Sequence, residues 1–411
     1  MTVNEPHLVY SSYTKAMCIR WSFLQRTVPN SGEYFIPLEE AIRNKLIPSI
    51  LGRVVTDMER KIFALPVRMG GLGIQNPIHT AEIEYRNSEM VTKSLSCLIE
   101  HQDTTLSRYD PAEVKQIMSK IKKEKEETFQ AQLEEVKITA NEALRRYVEL
   151  ACEKGAGAWL TSLPIQSLDL DLNKEEFRDG LLLRYGWKIP GTPFHCACGT
   201  KNTVDHALNC HLGGYVNMRH NNIRNYEANL LREICKDVKI EPDLLPIGTG
   251  NGSSTNTDDK SRLDVSAVGL WAPMQRTFLD VRVFHPNSAS YLNKTAEQLY
   301  IQHERQKKRK YNDRVIHVEK GSFSPLIFST TGGMGPESTR YHKRIAELIS
   351  LKRGELYSDV MNHIRTKIRY SILRSTLIAI RGERGRKRHF QNTPIFELSL
   401  NLGPAQQEYE V

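Results

Sequence analysis

The chain has no run of 18 or more apolar residues, so the sequence offers no candidate for a membrane-spanning helix. Its start, MTVNEPHLVYSSYTKAM, lacks the basic stretch and apolar run of a secretory leader. Cysteine is scarce: Cys18, Cys97, Cys152, Cys196, Cys198, Cys210 and Cys235 are the seven in 411 residues. An odd count with three members clustered argues against a disulfide framework and for a reducing compartment, cytosol or nucleus. There is no Gly-x-Ser-x-Gly, so an acyl-transfer triad has no support. Gly70, Gly71 and Gly73 in LPVRMGGLGIQNP fit neither GxGxxG nor GxxxxGK, and read as a structural turn rather than a phosphate loop. The sequence shows no internal repeat.

What is present fits globular matter: 39% of residues are hydrophobic and 26% charged. The length suggests two or three domains. A formal net charge of +9 and a pI of about 9.1 suit a polyanionic partner, nucleic acid above all. Residues 11–65 read as helical. Leu38, Ile42, Leu46 and Ile50 fall at helical spacing, and Pro48 should kink or end that helix. Residues 111–150 read as one or two exposed helices with a narrow stripe of Val114, Met118 and Ile121. A short apolar segment follows at 155–195, and a polar helix at about 218–238. GTGNGSSTNTDDKS reads as a mobile loop, and the tail beyond Gln391 as loosely held.

HCACGTKNTVDHALNCHLGG contains Cys196-x-Cys198-x7-His206-x3-Cys210. Three thiolates and an imidazole within fifteen residues match a tetrahedral, structural zinc site with no open position. Gly199 lets the backbone turn around the metal, and the four-residue step from His206 to Cys210 puts both on one side of a helical turn. The Cys-x-Cys step is tighter than the usual Cys-x2-Cys, so His195 and His211 stand as alternative ligands.

RLDVSAVGLWAPMQRTFLDVRVFHP, residues 262–286, reads as two strands around a bend centred near Ala272, which makes Asp264 and Asp280 equidistant from the bend. Strand alternation puts Phe278, Asp280 and Arg282 on one face and Leu279, Val281 and Val283 on the other. In the first strand, Arg262 and Asp264 share one face, Leu263 and Val265 the other. Like charges directly opposite destabilise a hairpin, so either one carboxyl is protonated or a cation sits between them. Magnesium, held by Asp264 and Asp280 beside a substrate phosphate, fits such a pair.

The next segment, NKTAEQLYIQHERQKKRKY, reads as a helix with Ala296, Leu299, Tyr300, His303 and Lys307 on one face. Lys307 could therefore approach the carboxylates and help an attacking water or stabilise phosphorane charge. Arg305, Lys308, Arg309 and Lys310 would point outward to phosphates, or form a solvated basic helix end. STTGGMG at 329–335 reads as a turn, with backbone contact to a phosphate as the alternative. His285, at the end of the second strand, reads as surface chemistry, with DNA contact as the alternative. Arg381, Arg384, Arg386, Lys387 and Arg388 form a dense basic run, suited to DNA contact or nuclear import and explained nearly as well by a solvated tail.

The order of these features carries a resemblance. A CCHC cluster, GGYVNMRHNNIR, an Asp…Asp-x-(Lys/Arg) hairpin and Lys-x-x-x-Tyr together resemble the C-terminal part of non-LTR retrotransposon proteins with a restriction-like endonuclease of the PD-(D/E)XK type. The segment WSFLQRTVPN…LPVRMGGLGIQNP is similar to the region after the palm in reverse-transcriptase-like proteins. The resemblance spans about residues 15–390 and is most specific over 195–330. It implies target-DNA nicking during integration, next to a zinc knuckle. Asp264 matches the aspartate of the PD motif, Asp280 the (D/E) position, and Arg219-His220-Asn221 the family's Arg-His-(Asp/Asn) step, a structural or DNA-contacting element.

Two departures qualify the match. Leu263 stands where the motif has proline, and Arg282 stands where it has lysine. Arginine is a poor general base. The family can draw the lysine from the following helix, which makes Lys307 the preferred stand-in and Lys294 the alternative. The palm's (Tyr/Phe)-x-Asp-Asp is missing, since the sole Asp-Asp, Asp258-Asp259, lies in a polar loop. The resemblance thus implies no polymerase activity and a piece, or truncated gene model, of a longer protein.

The expected architecture is multidomain. Residues 1–105 form the helical region similar to the segment after a palm, 106–190 a helical spacer, 191–216 the knuckle, 217–390 an α/β nuclease core with a central mixed sheet and flanking helices, and 391–411 a flexible tail. Zinc and magnesium are the expected cofactors, DNA the expected partner with element RNA as a second candidate, and the nucleus the expected location. A catalytically inactive nucleic-acid-binding remnant is the alternative.

Overall fold

A computed structural model describes residues 4–100, 102, 110–245 and 262–382. The chain divides into two compact units, 1–152 with 171–188, and 153–170 with 189–411. The stretch 106–190, expected to be one spacer, is therefore shared between the units.

The first unit is helical. Asp57–Ala64 (α1) begins with a capping box, in which Thr56 and Glu59 satisfy each other's backbone N–H. Helix α2 runs Pro77–Glu100, α3 Pro111–Thr139, α4 Glu142–Ala151 and α5 Lys174–Arg184. Pro48 does not end the preceding run. A π-helical turn, Ile42–Leu46, sits just ahead of it between the helical segments Ile36–Ala41 and Ile47–Leu51. The wider turn takes in one extra residue where proline's ring would meet a carbonyl. The buried face accordingly shifts by one position, and Ile42, Ile47 and Ile50 are buried while Leu46 is not.

In α3 the expected stripe is misplaced: Met118 is exposed, and Leu133 and Val136, nearer the C-terminus, are the buried pair. The expected turn at the glycines is present. Gly70 and Gly73 have φ of +83° and +69°, and a Cβ on Gly71 would come within 2.0 Å of the Leu65 carbonyl oxygen.

The second unit is a mixed sheet flanked by helices. Its elements in order are α6 (Val204–Asn209), α7 (Tyr215–Ile234), β1 (Lys236–Ile240), β2 (Val265–Val268), β3 (Arg276–Phe284), α8 (Ala296–His317), β4 (Ser322–Ser329), α9 (Pro336–Arg353) and α10 (Tyr357–Arg381). Strand order is β1-β2-β3-β4, antiparallel except for the parallel β3–β4 pair, which α8 connects. Pro325, lacking an N–H, sits in β4 at the edge of the sheet.

One face of the sheet, with Val265, Leu279, Val281, Leu326 and Phe328, packs on α7, α9 and α10. The other face packs on α8 through Phe278, Tyr311, Val315 and Phe323. Leu263 also joins the α8 side, unlike the alternation expected for it, because regular pairing of β2 starts only at Val265. Behind the first face Glu227 and His342, both fully buried, meet at 2.9 Å and tie α7 to α9.

Candidate active site

The β2–β3 register is Val265↔Leu279 through Val268↔Arg276, centred on Ala272 as the spacing predicts. Continued by one step, it brings Asp264 opposite Asp280. Asp264 lies at the frayed start of β2, and its side chain completes what the ladder leaves open. Its Oδ2 accepts the Val281 N–H at 2.5 Å. Its Oδ1 lies 3.0 Å from His220 Nε2, and since a carboxylate only accepts, that nitrogen carries the proton.

Asp280 is 5% exposed, and burial pushes its carboxyl above the ordinary aspartate range, with the Lys307 ammonium pulling the other way and the Asp264 charge adding to the rise. Lys307, on the sheet-facing side of α8, ion-pairs with Asp280 Oδ2. That oxygen is buried and has no regular hydrogen bond. Arg282 turns away and donates to Gln306 at 3.0 Å. Lys294 donates to Gln302 at 2.7 Å, so Lys307 is the lysine at the carboxylates.

Asp264 and Asp280 are carboxylates, the donor type a hard divalent cation takes, and Lys307 balances the buried Asp280 oxygen. Among the described residues, however, one group alone brings three or more His, Cys, Asp or Glu donors together, and it is the cysteine cluster.

Cys196, Cys198, His206 and Cys210 converge with their ligand atoms all within 4.8 Å of one another, and this group could hold a metal ion. Cys196 Sγ and Cys210 Sγ are 3.8 Å apart, and Cys198 Sγ lies 3.3 Å from His206 Nε2. A tetrahedron with sulfur about 2.3 Å from zinc has sulfur–sulfur edges of about 3.8 Å. A disulfide would need about 2.05 Å. Gly199 has φ of +90°, and Thr203 caps α6 by accepting the His206 N–H, which fixes where the imidazole enters. Hydrogen bonds from Thr200 lower the Cys198 thiol to about 6, favouring the thiolate that metals bind.

A groove of 880 Å³ is lined by Asp205, His206, Asn209 and His211 together with His220, Arg282, Tyr291 and Lys307. Of the residues expected to touch nucleic acid, Arg305 and Arg309 are exposed on the outer side of α8 and make no ion pair among the described residues. Lys308 pairs with Glu337 at 2.6 Å, and Lys310 lies over the Tyr311 ring at 4.7 Å. Arg219 is 2% exposed and donates to the Leu208 carbonyl at 3.2 Å, so of its two expected roles it fills the structural one, joining α7 to the cysteine segment. Arg384, Arg386, Lys387 and Arg388, the Asp258-Asp259 loop and the tail lie outside the described residues.

Sequence reasoning missed the surroundings of two groups, His285 and Glu153. His285 is 3% exposed, not a surface residue, and sits 2.7 Å from Asp205 Oδ1 and 2.8 Å from Thr330 Oγ1. Glu153 accepts from Tyr300, Ser329 and Thr331 at 3.2–3.3 Å, and burial raises its carboxyl to about 7. The STTGGMG segment thus wraps a carboxylate. A Cβ on Gly333 would come within 2.3 Å of it, which explains the glycine there. His303 is 1% exposed, and burial holds it down to about 4.

No protein-family model matches this chain, and no curated protein matches it either.

Proposed function

We propose that the chain is a divalent-metal-dependent DNA endonuclease of the restriction-like PD-(D/E)XK type, a piece of a non-LTR retrotransposon protein that nicks target DNA in the nucleus. The observation that carries this reading is the register of Asp264 with Asp280 and the arrival of Lys307 at Asp280 from the next helix. The expected lysine is replaced by Arg282 in the strand, yet an ammonium stands at the second aspartate.

Asp264 and Asp280 would hold magnesium, which when bound polarises the scissile phosphate and acidifies its water. Lys307 supplies a positive charge where the phosphorane becomes negative, and its ammonium can orient the attacking water. Asp264 orients His220 toward the groove. Arg282, turned to Gln306, stays available to a phosphate along the same face. The Cys196, Cys198, His206 and Cys210 set would hold a structural zinc, closed by four protein ligands. Arg305 and Arg309 would track the backbone of the bound DNA, and element RNA would use the same cations.

The Lys307–Asp280 pair also favours the second reading, a binding remnant without catalysis, because it balances one carboxylate with no metal. Titrating the purified chain with Mn²⁺ by electron paramagnetic resonance separates the two. The nuclease reading predicts a bound Mn²⁺ that Mg²⁺ displaces and that Asp280→Ala removes. Absence of a Mg²⁺-displaceable ion supports the remnant.

A further inference from the structure

The cysteine cluster is not suspended on a linker. Asp205, next to the ligand His206, receives the Nε2 proton of His285 at 2.7 Å, and His285 Nδ1 lies 2.8 Å from the Thr330 hydroxyl. A carboxylate only accepts, so a neutral ring accepts from Thr330 through Nδ1. The line therefore runs from the cluster, through the end of β3, to the segment after β4. A second tether joins Asn209 Nδ2 to Ser288 Oγ at 2.9 Å. Arg219 makes a third, from α7 to the Leu208 carbonyl. His285 is buried, so this relay is internal packing and not a surface accident.

The tethered segment lines the same groove as Lys307 and His220. The groove's 880 Å³ is open to solvent and large enough in volume to take several nucleotides of a strand. Its lining combines cations with an aromatic, Tyr291, the pairing that tracks a backbone and stacks bases.

We propose that the Cys3His module is a fixed wall of the catalytic groove, held there by the Asp205–His285–Thr330 relay, and that one nucleic-acid strand lies between this wall and Lys307. The proposal rests on the nuclease reading for the meaning of Lys307 there, but its test does not use cleavage. His211 faces the groove from the module and is outside the four-residue cluster. It gives the wall a group that touches the strand.

The test is fluorescence anisotropy with a fluorescein-labelled single-stranded oligonucleotide in EDTA-free buffer lacking Mg²⁺, with zinc content measured on the same samples. Asp205→Ala combined with Asn209→Ala removes two tethers, one at a half-buried and one at an exposed position. It should keep one zinc per chain and bind the strand about tenfold more weakly. His211→Ala, which leaves the tethers intact, should keep zinc and lose affinity several-fold. The unlabelled strand should compete better than the same sequence as a duplex. Wild-type affinity in both variants, or equal competition by duplex, would overturn the proposal. Failure of the nuclease reading looks different: the wild type would bind the strand through this wall and leave plasmid uncut.

Discussion

The ammonium of Lys307, one helix beyond β3, lies against the carboxylate of Asp280 on β3 itself. The pair is lopsided: the Asp280 side chain is 7% exposed and that of Lys307 21%. Asp280 is thus enclosed, while its partner also lines the groove.

Lys307→Met leaves Asp280 buried without its counter-charge. Removing one partner of a buried pair is destabilising, and with Lys307 partly solvated the expected loss is about 1–3 kcal/mol by urea denaturation at pH 7. Nicking should fall about 100-fold or more, the scale of a lost transition-state charge partner. Lys307→Met combined with Asp280→Asn should regain much of the stability and none of the nicking.

Cys196→Ser removes one of the four proposed zinc ligands. Binding energy at such a site is folding energy. The variant should lose its zinc by elemental analysis, and the segment around 195–214 should become open to proteolysis. Retention of one zinc per chain would count against this ligand set.

Glu153 gives a pH signature. Its folded carboxyl titrates near 7, above the ordinary value of 4.5, because burial opposes its charge. A raised acid holds its proton longer in the folded state. Its contribution to stability is therefore full below about pH 4.5 and is lost as pH climbs through 7. Glu153→Gln should flatten that decline and stabilise the chain at pH 8 by about 1–3 kcal/mol, read as a rise in Tm at pH 8 that vanishes at pH 5.

Arg305 and Arg309 stand on the outer side of α8 without acidic partners among the described residues. Each replacement by Ala should weaken DNA binding across unrelated sequences. Each should also reduce the slope of log affinity against log salt by about one, the mark of a phosphate contact. An unchanged slope would leave these arginines as plain surface.

Local patterns in the sequence reached a good part of this architecture. Alternation and the equal distance of Asp264 and Asp280 from Ala272 suffice for the hairpin register, since both are short-range properties of two strands and a bend. The helical spacing that runs through His303 to Lys307 suffices to aim Lys307 at the sheet. The cysteine spacing suffices to bring four ligand atoms together.

What failed has a common cause. His220 and Asp264 are 44 positions apart, Asp205 and His285 80, and Glu153 and Tyr300 147. Contacts of that separation leave no periodic trace in either segment. The π-helical turn before Pro48 is a different kind of miss, because one inserted residue moves the buried face from Leu46 to Ile47 without changing the composition of the helix.

The most direct test of the central claim is conversion of supercoiled plasmid to open circles by the purified full chain, in Mg²⁺ and in EDTA, beside Asp264→Ala. Nicking in Mg²⁺ alone, lost in Asp264→Ala while the variant keeps its melting temperature within a few degrees and its DNA affinity, is the predicted result. Equal nicking by Asp264→Ala, or none by the wild type with any divalent ion, would contradict a nuclease centred on Asp264 and Asp280.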